Sequence, residues 1–119
     1  MKSFLKFEEY QKNLENLIEI FDVVEENQKK LIQGLLEETA CMKTELSYMR
    51  TVLGKTGMIK IHPTKPELQK QLPIANEYRR TANAYSLNIK ALNSILNKNV
   101  VEEEDAFDKW VSQKMNQDD

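Results

Sequence analysis

Residues that interrupt helices are rare in this sequence, and their scarcity limits the folds open to it. The 119 residues include three glycines and three prolines with long gaps between them, which favours long helices joined by few turns. Apolar residues recur at three- and four-residue spacings, as one face of an α-helix requires. The sequence therefore predicts an all-α fold: a small helical domain with a long central helix hairpin, a short extended crossing segment and a C-terminal amphipathic tail helix.

The first half of the chain predicts two amphipathic helices. One runs from about Phe4 to Phe21, and a longer one runs from about Gln28 to Leu53. From Leu35 onward the apolar spacing in the second helix alternates between four and three, the repeat that lets helices pack side by side. This stripe exceeds what one short companion helix can bury, so a homo-oligomer is predicted. The predicted contact residues are Leu35, Met42, Leu46, Met49 and Leu53.

The second half of the chain contains more interruptions. Residues 58–63 are too short and too β-branched for a helix, so they are predicted to form an extended crossing or a short edge strand. A helix start is predicted at Thr64 and Pro66, because proline in a first helical turn forfeits no hydrogen bond. Pro73 is predicted to interrupt or restart this helix, and residues 86–88 to form a brief break before the last core helix.

The composition changes after residue 98, which divides the chain into two predicted parts. Residues 1–98 are the helical core and oligomerisation domain with a basic middle, and residues 99–119 are an acidic linker and an amphipathic tail. Aromatic anchors on such a tail are typical of a segment that docks on another protein. Folding of Trp110 back onto its own domain is the alternative. The predicted partner-binding residues are Phe107, Trp110, Val111 and Met115.

Charge is unevenly distributed along the chain. Residues 1–40 contain five lysines and nine acidic residues, a net charge of −4. Residues 41–100 contain ten basic and three acidic residues, a net charge of +7. Residues 101–119 contain two lysines and seven acidic residues, a net charge of −5. A basic middle predicts contact with a polyanion, although solvated helix faces also carry charge. Lys55, Lys60, Lys65 and Lys70 recur around the central turn, and the predicted DNA-binding residues are Lys55, Lys60, Lys65, Arg79 and Arg80.

The sequence predicts no catalytic residues, no metal site and no cofactor. His62 and Cys41 fall on different segments with nothing that marks them as a pair, and a turn position is the simpler interpretation of His62. The string Gly54-Lys55-Thr56 is not a phosphate-binding loop, because position 49 is Met where that motif requires glycine. No apolar run approaches the roughly 20 residues that span a bilayer, so a cytoplasmic protein without membrane contact is expected.

Gly57 follows the long helix, the pair His62-Pro63 closes the extended segment, and residues 85–88 precede the final helix. In this order the features resemble the small subunits of bacteriophage terminases over about residues 5–98, with a looser match at residues 85–88. The resemblance implies a non-catalytic helical ring in the host cytoplasm that binds double-stranded viral DNA. It also implies recruitment or regulation of the large subunit, which carries the ATPase and nuclease. A helical DNA-binding regulator and a purely structural interaction module are the alternatives.

Overall fold

The computed structural model describes the backbone of residues 2–117 and the side chains of residues 6–99 and 108–114. Within those limits the chain is almost entirely helical, which confirms the predicted fold class. The α-helices are α1 (Lys2–Ile20), α2 (Glu26–Thr56) and α3 (Pro73–Gln117), with a 3₁₀ turn at Phe21–Val23 between the first two. Two short antiparallel strands, β1 (Ile59–Ile61) and β2 (Gln69–Gln71), form a hairpin between α2 and α3.

The core lies where the turn between α1 and α2 meets the middle of α3. Five buried residues form its centre: Phe21, Val24, Ile32, Leu36 and Leu92. Half-buried leucines and isoleucines of all three helices pack around them. A single stripe on each helix supplies these contacts, as the apolar periodicity requires.

The molecule is a rod rather than a sphere. Its principal extents are 86 × 34 × 19 Å and its radius of gyration is 22.1 Å, against about 13–14 Å for a compact domain of this length. Asn99 on α3 donates a 3.0 Å hydrogen bond to Oε1 of Gln28, near the start of α2. The eighteen residues of α3 beyond Asn99 therefore extend about 27 Å past that point.

The end of α2 at Thr56 lies close to the predicted end at about Leu53. Gly57 occupies the C-terminal cap with φ of 75°, and its N–H donates to the carbonyl of Leu53 at 2.7 Å. A positive φ costs glycine nothing because it lacks Cβ, so the chain can leave the helix and enter β1.

The predicted helix start at Thr64 and Pro66 is wrong. Residues 62–68 form the connection of the hairpin, β2 follows, and α3 begins at Pro73. Proline is well suited to the first helical position, and it disfavours helical backbone at the preceding Leu72. Pro73 therefore starts a helix, which agrees with the second of the two roles predicted for it, interruption or restart.

The predicted break at residues 86–88 is also wrong, since α3 is continuous from Pro73 to Gln117. Asn88 caps no helix; its Nδ2 contacts Oγ1 of Thr39 at 3.3 Å and Sδ of Met42 at 3.7 Å on α2. The expected boundary between residues 98 and 99 lies inside α3, and the helix continues through the acidic segment after it. The division into two parts stays a prediction.

Candidate nucleic-acid interface

The hairpin is the most exposed part of the described chain. Every residue from 54 to 71 is exposed, and the two three-residue strands pair only with each other. Such a hairpin has no core of its own. Its side chains are therefore available to another molecule, while the ends of α2 and α3 hold its base.

Four lysines give the hairpin and its base a positive charge. Lys55 lies in the last turn of α2, Lys60 on β1, Lys65 in the connection and Lys70 on β2. Against Glu67, the one acid between residues 54 and 72, they leave a net charge of +3. Among the ion pairs of the described side chains, none involves these four lysines.

The strand register brings two of these lysines together. Lys60 is the direct cross-strand partner of Lys70, flanked by the pairs Ile59–Gln71 and Ile61–Gln69. Side chains alternate between the faces of a strand, so the two ammonium groups share one face. The isoleucines and glutamines occupy the other.

His62 organises the connection between the strands. Its Nδ1 accepts hydrogen bonds from the backbone N–H groups of Thr64 at 3.2 Å and Lys65 at 3.1 Å, and Oγ1 of Thr64 lies 3.3 Å from the same atom. The His62 N–H donates to the carbonyl of Leu68 at 2.9 Å. The predicted turn position of His62 is confirmed, and the ring itself stabilises the turn.

An open depression of about 520 Å³ lies at the outer end of the hairpin. Its lining combines cationic, polar and apolar side chains, namely Lys60, Ile61, His62, Pro63, Leu68, Gln69 and Lys70. Ile61 and Leu68 are 54% and 52% exposed. No carboxylate belongs to the lining among the described side chains, so the depression favours an anionic ligand with some apolar surface.

The two predicted arginines lie on α3, close to the hairpin base. Arg79 is six residues beyond Pro73, about 9 Å along the helix axis. Arg79 and Arg80 are exposed, and Nη1 of Arg80 lies 3.4 Å from Oε1 of Glu77 in a solvent-exposed pair. The predicted cationic residues thus occupy the hairpin and the two helix ends that support it.

The residues predicted at an oligomer contact lie mostly within the chain's own helix packing. Leu46, Met49 and Leu53 are 6%, 8% and 8% exposed, while Leu35 and Met42 are half-buried. Both α1 and α3 pack on α2, and they cover the stripe that was assigned to a second copy. Within the single chain these side chains offer little surface to another molecule, and their assignment to an oligomer contact stays a prediction. The homo-oligomer itself stays a prediction.

The tail residues are described in part. Trp110 is 52% exposed with Nζ of Lys114 4.5 Å from its ring centre, and Val111 is half-buried. The side chains of Phe107 and Met115 lie outside the described residues. Over the stretch that the structure describes, no helix has the length and apolar character needed to cross a membrane.

Sequence reasoning did not anticipate two features of this surface. It grouped Lys70 with the other lysines but omitted it from the DNA-binding candidates, and it expected a helix where β2 lies. It also gave His62 no role beyond a turn. A signal was present in Gln69-Lys70-Gln71, where polar residues follow a turn-forming stretch and oppose Ile59-Lys60-Ile61. Comparison of the chain with family models, curated proteins and solved structures gave no match.

Proposed function

We propose that this chain is the non-catalytic small subunit of a bacteriophage terminase, acting in the host cytoplasm. It binds double-stranded viral DNA, and it recruits or regulates the large ATPase and nuclease subunit during genome packaging. The observation that carries the proposal is the exposed basic hairpin between two long helices, with a net charge of +3.

The resemblance to terminase small subunits supports the proposal through the residues that build this hairpin. Gly57 ends α2 and lets the chain turn into β1. His62 and Pro63 begin the connection, where His62 binds the backbone of the turn. The looser mark at residues 85–88 lies inside α3, so the resemblance rests on the hairpin marks.

The chemistry of the hairpin suits a DNA backbone. Lysines that neutralise phosphates release condensed counterions, which supplies most of the affinity of sequence-independent binding. A two-stranded ribbon is also narrow enough to enter the major groove. If several copies assemble in a ring, each weak hairpin contact gains from the others through effective concentration.

The other end of the rod is proposed to contact the large subunit. There α3 extends past the start of α2 and presents Trp110, which is 52% exposed. Separation of the two ends lets the chain hold DNA at one end and the large subunit at the other.

The experiment is DNA binding by the full chain at several salt concentrations. A variant with Lys55, Lys60, Lys65 and Lys70 replaced by glutamine is compared with a control of equal charge change in the exposed residues Lys12, Lys30, Lys43 and Lys90. Each lost phosphate contact reduces the dependence of log affinity on log salt by about 0.9, so the hairpin variant loses up to about 3.6. If the salt dependence of affinity falls equally in both variants, the hairpin is not the DNA contact.

A second measurement tests the assignment to a terminase. The tagged chain is recovered from an infected or lysogenic host, and the proteins recovered with it are identified. Recovery of a large ATPase and nuclease subunit supports the proposal. DNA binding without that partner favours a helical DNA-binding regulator instead.

A further inference from the structure

We propose that Lys60, Lys70 and His62 form a phosphate-binding site on one face of the hairpin. The inference deepens the proposed DNA contact, and it rests on that proposal for the molecule that carries the phosphate. It adds the chemical group that is bound and two residues, Lys70 and His62, that the DNA-binding candidates did not include.

The strand register places the two lysines opposite each other. Lys60 and Lys70 are paired directly across the strands, where Cβ atoms lie about 5 Å apart and like charges destabilise the pairing. Neither ammonium group has an ion-pair partner among the described side chains. An anion between the two lysines would replace their repulsion by two attractions.

The hydrogen bonds of His62 fix which of its ring nitrogens can donate. Backbone N–H groups can only donate, so Nδ1 of His62 is the acceptor for Thr64 and Lys65. The neutral ring therefore carries its hydrogen on Nε2. His62 follows Lys60 by two residues and lines the same depression, so it adds a third donor to the two ammonium groups.

The described surroundings of these donors contain apolar side chains and no acid. Pro63 and Leu68 contribute apolar surface, and no carboxylate lines the depression among the residues that the structure describes. Hydrogen bonds from charged donors to an anion are shorter and stronger than those from neutral donors. A phosphate group matches these donors, whether it belongs to a DNA backbone or to a free phosphate ion.

This site would position DNA without reading its sequence. Phosphate contacts fix the placement of a protein on the duplex but carry no base information. Duplexes of different sequence and equal length are therefore expected to bind the Lys60–Lys70 pair equally well.

The test uses Lys70→Glu in the full chain, with Lys90→Glu on the exposed surface of α3 as the matched charge change. Glu at position 70 faces Lys60 with opposite charge, so amide hydrogen exchange in β1 and β2 should slow. The same change should weaken duplex binding at 50 mM salt by about 15-fold or more. One phosphate contact changes log affinity by about 0.9 per log unit of salt, which amounts to about 15-fold between 1 M and 50 mM. Lys90→Glu should change affinity by less than about threefold and leave hairpin exchange unaltered.

Opposite effects on hairpin stability and DNA affinity identify a binding site, because a purely structural role would move both in the same direction. If Lys70→Glu leaves duplex affinity within the range of Lys90→Glu, the phosphate site is refuted while DNA binding by the wild-type chain still stands.

A titration with inorganic phosphate separates the site from the proposed function. The imidazole resonances of His62, the single histidine, should shift in the wild type and not in the variant Lys60→Gln/Lys70→Gln. Phosphate-dependent shifts in a chain that binds no duplex would support the site and overturn the DNA proposal. Identical behaviour of wild type and variant toward phosphate would overturn the site.

Discussion

Asn13 on α1 donates a 3.1 Å hydrogen bond from Nδ2 to Oγ1 of Thr44 on α2, and both side chains are buried. The Thr44 hydroxyl in turn donates to the carbonyl of Ala40 at 2.8 Å. Because a buried polar group costs stability unless it is paired, α1 and α2 are favoured in the one register that joins these atoms.

Removal of the Thr44 hydroxyl is expected to destabilise the chain. Thr44→Val keeps the shape of the side chain but leaves Nδ2 of Asn13 without this acceptor, at a cost of about 1–3 kcal/mol. Urea denaturation followed by circular dichroism measures the loss. The control is Thr51→Val, since Thr51 is exposed on the same helix and bonds only the carbonyl of Ser47. Equal stability of the two variants would show that the Asn13–Thr44 bond does not fix the register.

The core is expected to depend on α3 as much as on the α1–α2 pair. Leu92 is 2% exposed in the centre of the core, whereas Leu87 on the same helix is 65% exposed. Leu92→Ala should therefore lower the free energy of unfolding by about 2–5 kcal/mol, and Leu87→Ala by less than about 0.5 kcal/mol. Thermal unfolding of both variants provides the comparison. Similar losses would contradict the observed packing of α3.

The helical fold was predictable because apolar spacing is a local property of the sequence. The stripes of α1 and α2 and the end of α2 at Gly57 follow from periodicity and from the conformational freedom of glycine. The continuity of α3 was not predictable in this way. Residues 86–88 resemble a break in sequence, and only the contact of Asn88 with Thr39 and Met42 on α2 shows what Asn88 does.

The candidate site was predictable in composition and not in geometry. Clustered lysines around a turn indicate a cationic surface from sequence alone. The pairing of Lys60 with Lys70 depends on the register that residues 62–68 impose, and a shift of one residue would place the two side chains on opposite faces. The same limitation applies to the apolar stripe of α2 that was predicted to contact a second copy. The sequence cannot tell whether Leu46 packs on its own chain or on another.

Alkaline pH is expected to weaken the fold through Tyr10. Burial raises the pKa of Tyr10 above its ordinary value of 10.0, and the charges of Glu37, Cys41 and Glu38 raise it further. The folded state therefore holds the phenolic proton more tightly than the unfolded state does. This stabilisation is complete below about pH 10 and is lost as pH rises through the folded pKa.

The variant Tyr10→Phe tests this pH dependence. Its melting temperature should fall less than that of the wild type between pH 9 and pH 11. The melting temperature of the variant should still fall somewhat, because Lys29 also contributes. The hydrogen bond to Asp22 raises the pKa of Lys29 above 10.5, and the stabilisation by this charged pair disappears as pH rises. Parallel pH profiles of wild type and variant would exclude a contribution from Tyr10.

The arginines at the hairpin base are expected to add to the DNA contact. Arg79→Gln should reduce the dependence of log affinity on log salt by about 0.9, and Arg80→Gln should reduce it as well. The loss is expected to be smaller for Arg80, since Glu77 already lies 3.4 Å from it. Arg50→Gln on the exposed surface of α2 is the control. Salt titrations that do not distinguish Arg79→Gln from Arg50→Gln would remove α3 from the interface.

Removal of the tail is expected to separate the two proposed contacts. A chain that ends at residue 100 keeps Asn99, whose Nδ2 contacts Oε1 of Gln28 and the carbonyl of Ile95. The buried core lies within residues 21–92, and the hairpin lies at the opposite end of α2. The truncated chain should therefore keep its melting temperature, its oligomeric state and its salt-dependent DNA binding.

The same truncation should abolish binding to the large subunit, because it removes Trp110 and the helical segment that carries it. Trp110→Ala in the full chain is the matched point variant, and it should weaken that binding without changing stability. Pull-down with the large subunit and thermal unfolding measure the two properties side by side. A truncated chain that aggregates or melts well below the wild type would show that the tail is part of the fold, and the proposed docking role would then be wrong.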